Sequence, residues 1–137
     1  MQSAERLHRM NDSVLDSSII LAILKNETID DIAYSIVDGG VMSAVNVAEV
    51  YTKLSELKLV SVPQVDAMLA TLDRIEPFTA RQAKICGLLR ERTTHLGMSL
   101  GDRACIALAI DIGGEVFTTD GQWLKLDFGC KVQNLLR

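Results

Sequence analysis

The sequence predicts an α/β fold built around a mostly parallel sheet. Short β-branched runs alternate along the chain with longer stretches of helical periodicity, which is typical of strands joined by crossover helices. No repeat, low-complexity tract or linker interrupts this alternation. The chain has 137 residues, of which 48% are hydrophobic and only 4% aromatic. It is therefore long enough for one domain, whose core is expected to consist of Leu, Ile, Val and Ala.

The first part of the chain predicts two strands and the helices between them. Residues 13–16 form the first short strand, and an apolar helix through residues 19–24 follows. Residues 28–37 form a second helix that ends at the glycine pair starting with Gly39, because glycine accepts the backbone conformation that terminates helices. Val41–Ser43 forms the second strand.

The helix after the second strand has two distinct faces. Its apolar residues recur at the spacing of a single helical stripe, namely Val47, Val50, Tyr51, Leu54 and Leu57. Polar residues occupy another face of the same helix, namely Asn46, Glu49, Lys53 and Glu56.

The alternation continues in the middle of the chain. Residues 62–72 form a helix with Pro63 in its first turn, where proline is tolerated. Residues 74–78 form a short strand ended by Pro77, and Thr79 caps a long helix that runs to about residue 94.

The last part contains the most apolar helix of the chain. Residues 104–112 are apolar except for Asp111, so we expect this helix to be buried on most sides. It ends at the glycine pair beginning with Gly113, and strands are predicted at residues 116–118 and 131–133. Trp123 is expected to be a core or edge anchor, while Arg103 is expected either to contact phosphate or to form a structural ion pair.

Composition excludes several classes of protein. The longest apolar run, residues 104–110, is too short to span a membrane, and the polar start of the chain has no signal region, so we expect a cytoplasmic protein. The net charge of −4 has the wrong sign for non-specific attraction to nucleic acid. Any such function must use bound cations or a local basic surface. The cysteines are far apart and outside any C-x-x-C pair, which favours free thiols over a zinc site or disulfides: Cys86, Cys105 and Cys130.

Four acidic residues fall where ligands bind in parallel α/β sheets, beyond the carboxyl ends of the strands. Asp16 ends the first strand and Asp120 follows the fourth. Asp102 opens the buried helix, and Glu49 lies in the second turn of the helix after the second strand, on the same face as Asn46.

Each acid also has a purely structural explanation, which the sequence leaves open. The first and last acids are compatible with a helix cap and a turn. Asp102 could complete a capping pattern with Ser99, and Glu49 could pair with Lys53. Four independent caps and turns need not meet at one edge, so their shared position favours a common site.

Such a site would need a cation. Two carboxylates about 6 Å apart repel by roughly 3 kcal/mol at an effective dielectric near 20, so four together need a cation or a bound proton. Oxygen ligands without His or Cys select Mg²⁺ or Mn²⁺ rather than zinc. The natural co-ligand of Mg²⁺ is a phosphate, which points to phosphodiester hydrolysis.

At these residues the chain resembles a PIN domain, especially the stand-alone toxins of VapBC-type toxin–antitoxin pairs. The resemblance covers roughly residues 13 to 133. The matching segments are VLDSS at 14–18, SAVNVAEV at 43–50, SLGDRAC at 99–105 and FTTD at 117–120. Their order and spacing are those of the family.

The resemblance implies a three-layer α/β/α domain and Mg²⁺- or Mn²⁺-dependent endoribonuclease activity. The residues that match the family's acidic quartet are Asp16, Glu49, Asp102 and Asp120. Those that match its supporting polar positions are Ser18, Asn46 and Thr118. The chain departs from some relatives at Gly121 and Gln122, which are neutral where those relatives carry a further acid, so a second metal would be weakly held.

The resemblance also implies an RNA substrate, an antitoxin partner and a homodimer. An apolar stripe that could bury against a second copy is formed by Val65, Met68, Leu69 and Leu72. Residues 13–137 are assigned to the single PIN-like domain and residues 1–12 to an N-terminal extension, with Met10 as an alternative start.

Three other interpretations compete with this one. A degenerate PIN domain would bind RNA or a protein without cleaving. A receiver-like signalling domain that binds Mg²⁺ expects adjacent acids at the end of the first strand, yet Asp16 is single and the Asp30–Asp31 pair falls in a predicted helix. A haloacid-dehalogenase-like phosphatase expects D-x-D at the first strand, which is absent here.

Overall fold

A computed structural model describes residues 12–58 and 60–136. The predicted start at Met10 lies outside these residues, as does the predicted N-terminal extension apart from Asp12. The backbone carbonyl of Asp12 accepts a hydrogen bond of 2.8 Å from the amide of Glu115. Its carboxylate pairs with Arg74 at 2.9 Å. Asp12 therefore contacts the domain directly.

The described residues form one five-stranded sheet in the order β3-β2-β1-β4-β5. Every neighbouring pair of strands is parallel. The strands are β1 (Ser13–Leu15), β2 (Val41–Ser43), β3 (Arg74–Glu76), β4 (Glu115–Thr118) and β5 (Val132–Asn134). From β1 the chain first adds strands on one side and then returns to add β4 and β5 on the other. The strand order therefore reverses between β1 and β4, where parallel α/β sheets bind their ligands.

Helices connect the strands and cover both faces of the sheet. The α-helices are α1 (Ser17–Leu24), α2 (Ile32–Val37), α3 (Ala44–Thr52), α4 (Val62–Leu69), α5 (Ala80–Leu88), α6 (Arg90–Thr93) and α7 (Leu100–Ile112). Short 3₁₀ helices follow at Lys53–Glu56, Thr94–Leu96 and Gly121–Lys125. None of the helices in the described residues is long and apolar enough to cross a membrane.

Successive strand residues point to opposite faces, which divides the core in two. Leu15 and Phe117 pack with α1 to α4, whereas Val14 and Val116 pack with α7 and the segment around Leu89. This is the expected three-layer α/β/α arrangement with a parallel sheet. Trp123, only 1% exposed, belongs to the second core cluster, which confirms that it is an anchor.

The predicted helix over residues 28–37 starts too early. Ile29 is buried and pairs with Leu136 in an isolated antiparallel bridge, so its backbone is extended there. The side chain of Asp30 then accepts a hydrogen bond from the amide of Ile32, where α2 begins. Tertiary pairing has overridden local helical propensity.

The apolar stripe assigned to a second copy has another role. Val65, Leu69 and Leu72 are 0%, 6% and 9% exposed and pack in the core beneath the sheet. The stripe is therefore covered within the chain, and it does not support a dimer. The homodimer itself remains a prediction.

Candidate active site

Asp16 is the most buried acid at the carboxyl edge of the sheet. It follows β1, precedes the first residue of α1 and is 4% exposed. Its Oδ2 accepts a hydrogen bond of 3.1 Å from the hydroxyl of Thr118 at the end of β4. Its Oδ1 is buried and has no hydrogen-bond partner among the described residues. Burial raises the pKa of Asp16 to about 6, and the charges of Asp102 and Glu49 add to this increase.

Glu49 is held in place by donors from two other helical positions. Its Oε1 accepts hydrogen bonds from Asn46 Nδ2 at 2.8 Å and from Ser17 Oγ at 3.1 Å. Asn46 is fully buried, and its Nδ2 also donates to the backbone carbonyl of Gly101 at 3.0 Å. The side-chain amide of Asn46 therefore connects the carboxylate of Glu49 on α3 to the first turn of α7. The alternative pairing of Glu49 with Lys53 is not formed, since Lys53 pairs with Glu56 at 3.5 Å.

Gly101 brings the backbone of α7 against this carboxylate. A Cβ built at Gly101 would lie 2.6 Å from Oε1 of Glu49 and would overlap Oε2 and Cδ. Glycine is therefore required for Glu49 to keep its position. Glycine within a helix lowers the stability of that helix. Its presence in the sequence is therefore a signal that another group approaches the helix backbone closely at this position.

Asp102 is the third residue of α7. It forms the capping box with Ser99 that the sequence offered as its purely structural explanation. Its Oδ2 accepts from the amide of Ser99 at 2.9 Å, and its own amide donates to Ser99 Oγ at 3.1 Å. Burial is the largest cause that raises the pKa of Asp102, and the charges of Glu49 and Asp120 raise it further. The carboxylate is thus both a helix cap and part of the acidic group.

Asp120 lies at the exposed rim of this edge. Its Oδ1 accepts from the amide of Gln122 at 2.9 Å and caps the 3₁₀ helix that follows. Its own amide donates to the hydroxyl of Thr118 at 3.1 Å. Ser18 completes the network, because its Oγ lies 3.4 Å from the Thr118 hydroxyl and accepts from the amide of Thr119 at 3.0 Å.

The structure therefore places all four sequence-predicted acids at one edge, where their charges interact. It also brings together the three supporting polar residues. Sequence reasoning missed Ser17 and Gly101. In residues 12–58 and 60–136, no three Asp, Glu, His or Cys side chains are placed to hold one metal ion. The hydrogen bonds explain this, because Asp102 and Asp120 are turned toward backbone amides of their own segments.

The residues nevertheless fit a hard divalent cation. The buried, unpartnered Oδ1 of Asp16 needs a proton or a positive charge, since a buried carboxylate without either is strongly destabilised. The neighbouring donors are carboxylate oxygens, which suit Mg²⁺ and Mn²⁺. Cys105 is fully buried, and burial raises the pKa of its thiol well above its usual value, so it stays protonated and is not a ligand.

Arg103 lies beside the acids in sequence but takes part in helix packing. It is 7% exposed, and its Nη1 donates to the backbone carbonyl of Cys86 at 2.9 Å. This bond joins α7 to α5, and among the described residues Arg103 forms no ion pair, whereas its contact with phosphate stays a prediction.

Comparison with known proteins identifies one family and a set of similar folds. The family model described as the PIN domain matches residues 13–129. None of the curated proteins compared matches the chain. Among solved structures, DNA-bound VapBC from Salmonella typhimurium has a TM-score of 0.69 at 14% identity, covering 91% of this chain and 98% of that one.

Two further structures show the same fold. A toxin–antitoxin complex from Klebsiella pneumoniae has a TM-score of 0.67 at 15% identity, covering 89% of this chain and 95% of that one. A member of the VapBC family of toxin–antitoxin systems from Mycobacterium tuberculosis has a TM-score of 0.58 at 21% identity, covering 94% and 100%.

Proposed function

The chain belongs to the PIN-domain family, and from this premise we propose that it is a Mg²⁺- or Mn²⁺-dependent endoribonuclease. The observation that carries the proposal is the buried Oδ1 of Asp16, which has no hydrogen-bond partner among the described residues and lies where the strand order reverses. A carboxylate in that position is costly for folding, so its presence favours a role in function.

The residues around Asp16 have separate roles in this proposal. Asp16 and Glu49 would hold the cation, together with the carboxylate oxygens of Asp102 and Asp120 that do not accept the capping hydrogen bonds. Thr118 orients Asp16, and the hydrogen bonds to Oε1 of Glu49 leave its Oε2 available. A bound divalent cation would supply the positive charge that offsets these carboxylates and the charge that develops on the phosphate.

The direct test is cleavage of single-stranded RNA by the purified protein. We expect cleavage with Mg²⁺ or Mn²⁺ and none in EDTA. Asp16→Asn and Glu49→Gln should each remove most of the activity, whereas the exposed acids Asp38 and Glu91 offer matched controls as Asp38→Asn and Glu91→Gln. Undiminished cleavage by Asp16→Asn would show that another site, or a contaminant, is responsible.

We extend the proposal to a toxin with an antitoxin partner and a homodimeric state in the cytoplasm. The support is the likeness to the structures described as VapBC and toxin–antitoxin complexes. Expression of the chain should arrest growth, Asp16→Asn should not, and the product of an adjacent short reading frame should bind the chain and relieve the arrest. Light scattering at tens of micromolar, on the order usual for weak homodimers, measures the oligomeric state.

A PIN domain that binds without cleaving is the second candidate. The capping hydrogen bonds of Asp102 and Asp120 favour it, since they give both acids a structural purpose. It predicts that Mn²⁺ does not raise the melting temperature and that RNA remains intact.

A further inference from the structure

A pocket of about 460 Å³ opens directly beside Glu49, between α3 and the start of α7. Its walls include Val45, Ala48, Thr52, Lys53 and Leu100. The pocket is thus continuous with the acidic edge on one side and reaches one further turn along α3. Its volume is sufficient for one nucleotide.

The wall of this pocket is mainly apolar, and its hydrogen-bonding groups are already engaged. The hydroxyl of Thr52 donates to the carbonyl of Ala48 at 2.8 Å, and the hydroxyl of Ser99 accepts from the amide of Asp102. Leu100 is 58% exposed although it is a large apolar residue. The pocket therefore offers a surface for packing and few groups for reading the edge of a base.

Opposite charges mark the two ends of the pocket. Glu49 stands at the acidic edge. Lys53, the first residue of the 3₁₀ helix that continues from α3, lies four residues farther along, about 6 Å in axial rise at the helical rise per residue. The only ion pair that Lys53 makes in the described part of the chain joins it to Glu56 at 3.5 Å, with both side chains about half exposed or more. Such surface pairs are weak, so the ammonium group is available to a phosphate. One turn of helix is comparable with the spacing of successive phosphates in an extended single strand.

We propose that this pocket binds one unpaired nucleotide of the RNA substrate, next to the scissile phosphate. The base packs against Leu100 and Val45, and Lys53 binds the adjoining phosphate. A base within a duplex is stacked on both faces and cannot enter, whereas an unpaired base can. Because packing is tolerant of base identity, the pocket selects single strands over duplexes rather than one sequence over another. This inference rests on the proposed ribonuclease function.

Two variants change the pocket in opposite directions without touching the acids. Ala48→Phe fills it, and Leu100→Ala removes the exposed packing surface. With a single-stranded RNA about ten nucleotides long as substrate, we expect each variant to raise KM about tenfold and leave kcat within about twofold of the wild type. Lys53→Ala should raise KM about threefold and weaken its dependence on salt. Ala83→Phe and Lys84→Ala, on exposed positions of α5, are the matched controls and should leave both constants unchanged.

A binding measurement separates this proposal from the ribonuclease assignment. Fluorescence anisotropy of the labelled oligonucleotide with Asp16→Asn should show tighter binding of the single strand than of its duplex. Adding Ala48→Phe should remove most of that preference. If the wild type cleaves no RNA, the proposed function fails, while this measurement still decides whether the pocket binds a nucleotide.

Three results would overturn the pocket assignment. In the first, Ala48→Phe and Leu100→Ala match the Ala83→Phe control in KM and in binding. In the second, they lower kcat at unchanged KM, which would mean that they act through Glu49. In the third, they abolish binding of a protein inhibitor while RNA binding is unchanged, which would make the pocket a protein-docking site.

Discussion

The carboxylate of Glu49 lies in the space that a side chain at position 101 would need, because a Cβ on Gly101 would come within 2.6 Å of Oε1 and overlap the rest of the group. Glu49 can be displaced, since the overlapping atoms are the end of a flexible side chain. A substitution at Gly101 should therefore move the acid without unfolding the domain.

Gly101→Ala is accordingly expected to separate stability from activity. Alanine is favoured over glycine in a helix by up to about 1 kcal/mol, so the free energy of unfolding should be unchanged or slightly higher. Cleavage of RNA and stabilisation by Mn²⁺ should both fall strongly, as Glu49 leaves its donors. Gly87→Ala is the control, because a Cβ there has nothing within 4 Å; it should gain stability and keep activity. Equal activity of the two variants would show that the position of Glu49 does not matter.

The pKa of Asp16 makes the metal-free protein sensitive to pH. Its folded pKa of about 6 exceeds the ordinary value of 3.8, so the folded state binds the proton more tightly than the unfolded state. Stability is unaffected below pH 3.8 and decreases as the pH rises to about 6, by at most about 3 kcal/mol. Urea unfolding in EDTA should thus show that the free energy of unfolding of Asp16→Asn increases relative to that of the wild type between about pH 4 and 7, roughly the window around these two pKa values. Mn²⁺ should reduce this difference between the two proteins. A constant difference in the free energy of unfolding across that range would contradict the raised pKa.

The hydroxyl of Thr118 links two of the acids. It donates to Oδ2 of Asp16 and accepts from the amide of Asp120, and the side chain is fully buried. Thr118→Val keeps the shape but leaves both partners unsatisfied, so unfolding should become easier by about 1–3 kcal/mol. Thr118→Ser retains the hydroxyl and should keep most activity. Thermal melts and RNA cleavage of the two variants provide the comparison, and similar activities would show that the hydroxyl is not needed.

Ser99 and Asp102 test whether capping and metal binding can be separated. Ser99→Ala removes a helix cap and should cost about 1 kcal/mol, yet Asp102 keeps its charge, so Mn²⁺ should still stabilise the protein. Asp102→Asn can still accept from the amide of Ser99, so the fold should be retained while stabilisation by Mn²⁺ is lost. Melting temperatures with and without Mn²⁺ distinguish the capping role from the metal-binding role. If Mn²⁺ stabilised Asp102→Asn but not Ser99→Ala, Asp102 would lie outside the metal site.

Much of the fold and of the candidate site could be predicted because it depends on local patterns. The strand Glu115–Thr118 is a short run rich in residues that favour strands, and an acid directly after a strand must lie at the carboxyl edge. The contact of Ser17 with Glu49 could not be predicted, since it joins residues 32 positions apart. Nor does an apolar stripe such as that of Val65 specify whether the core or a second copy covers it. Gly101 did carry a signal, because glycine in a helix beside a candidate acid is costly unless something approaches closely.

The pairing of β1 with β4 has a consequence for synthesis of the chain. Asp16 and Thr118 are hydrogen-bonded across 102 positions of sequence, and the two strands are neighbours in the sheet. Contacts of such long range form late in folding. On the ribosome, a nascent chain that has not yet exposed β4 lacks both the partner of Asp16 and the last acid. The acidic edge of the sheet therefore stays incomplete in a nascent chain until Asp120 has emerged from the exit tunnel.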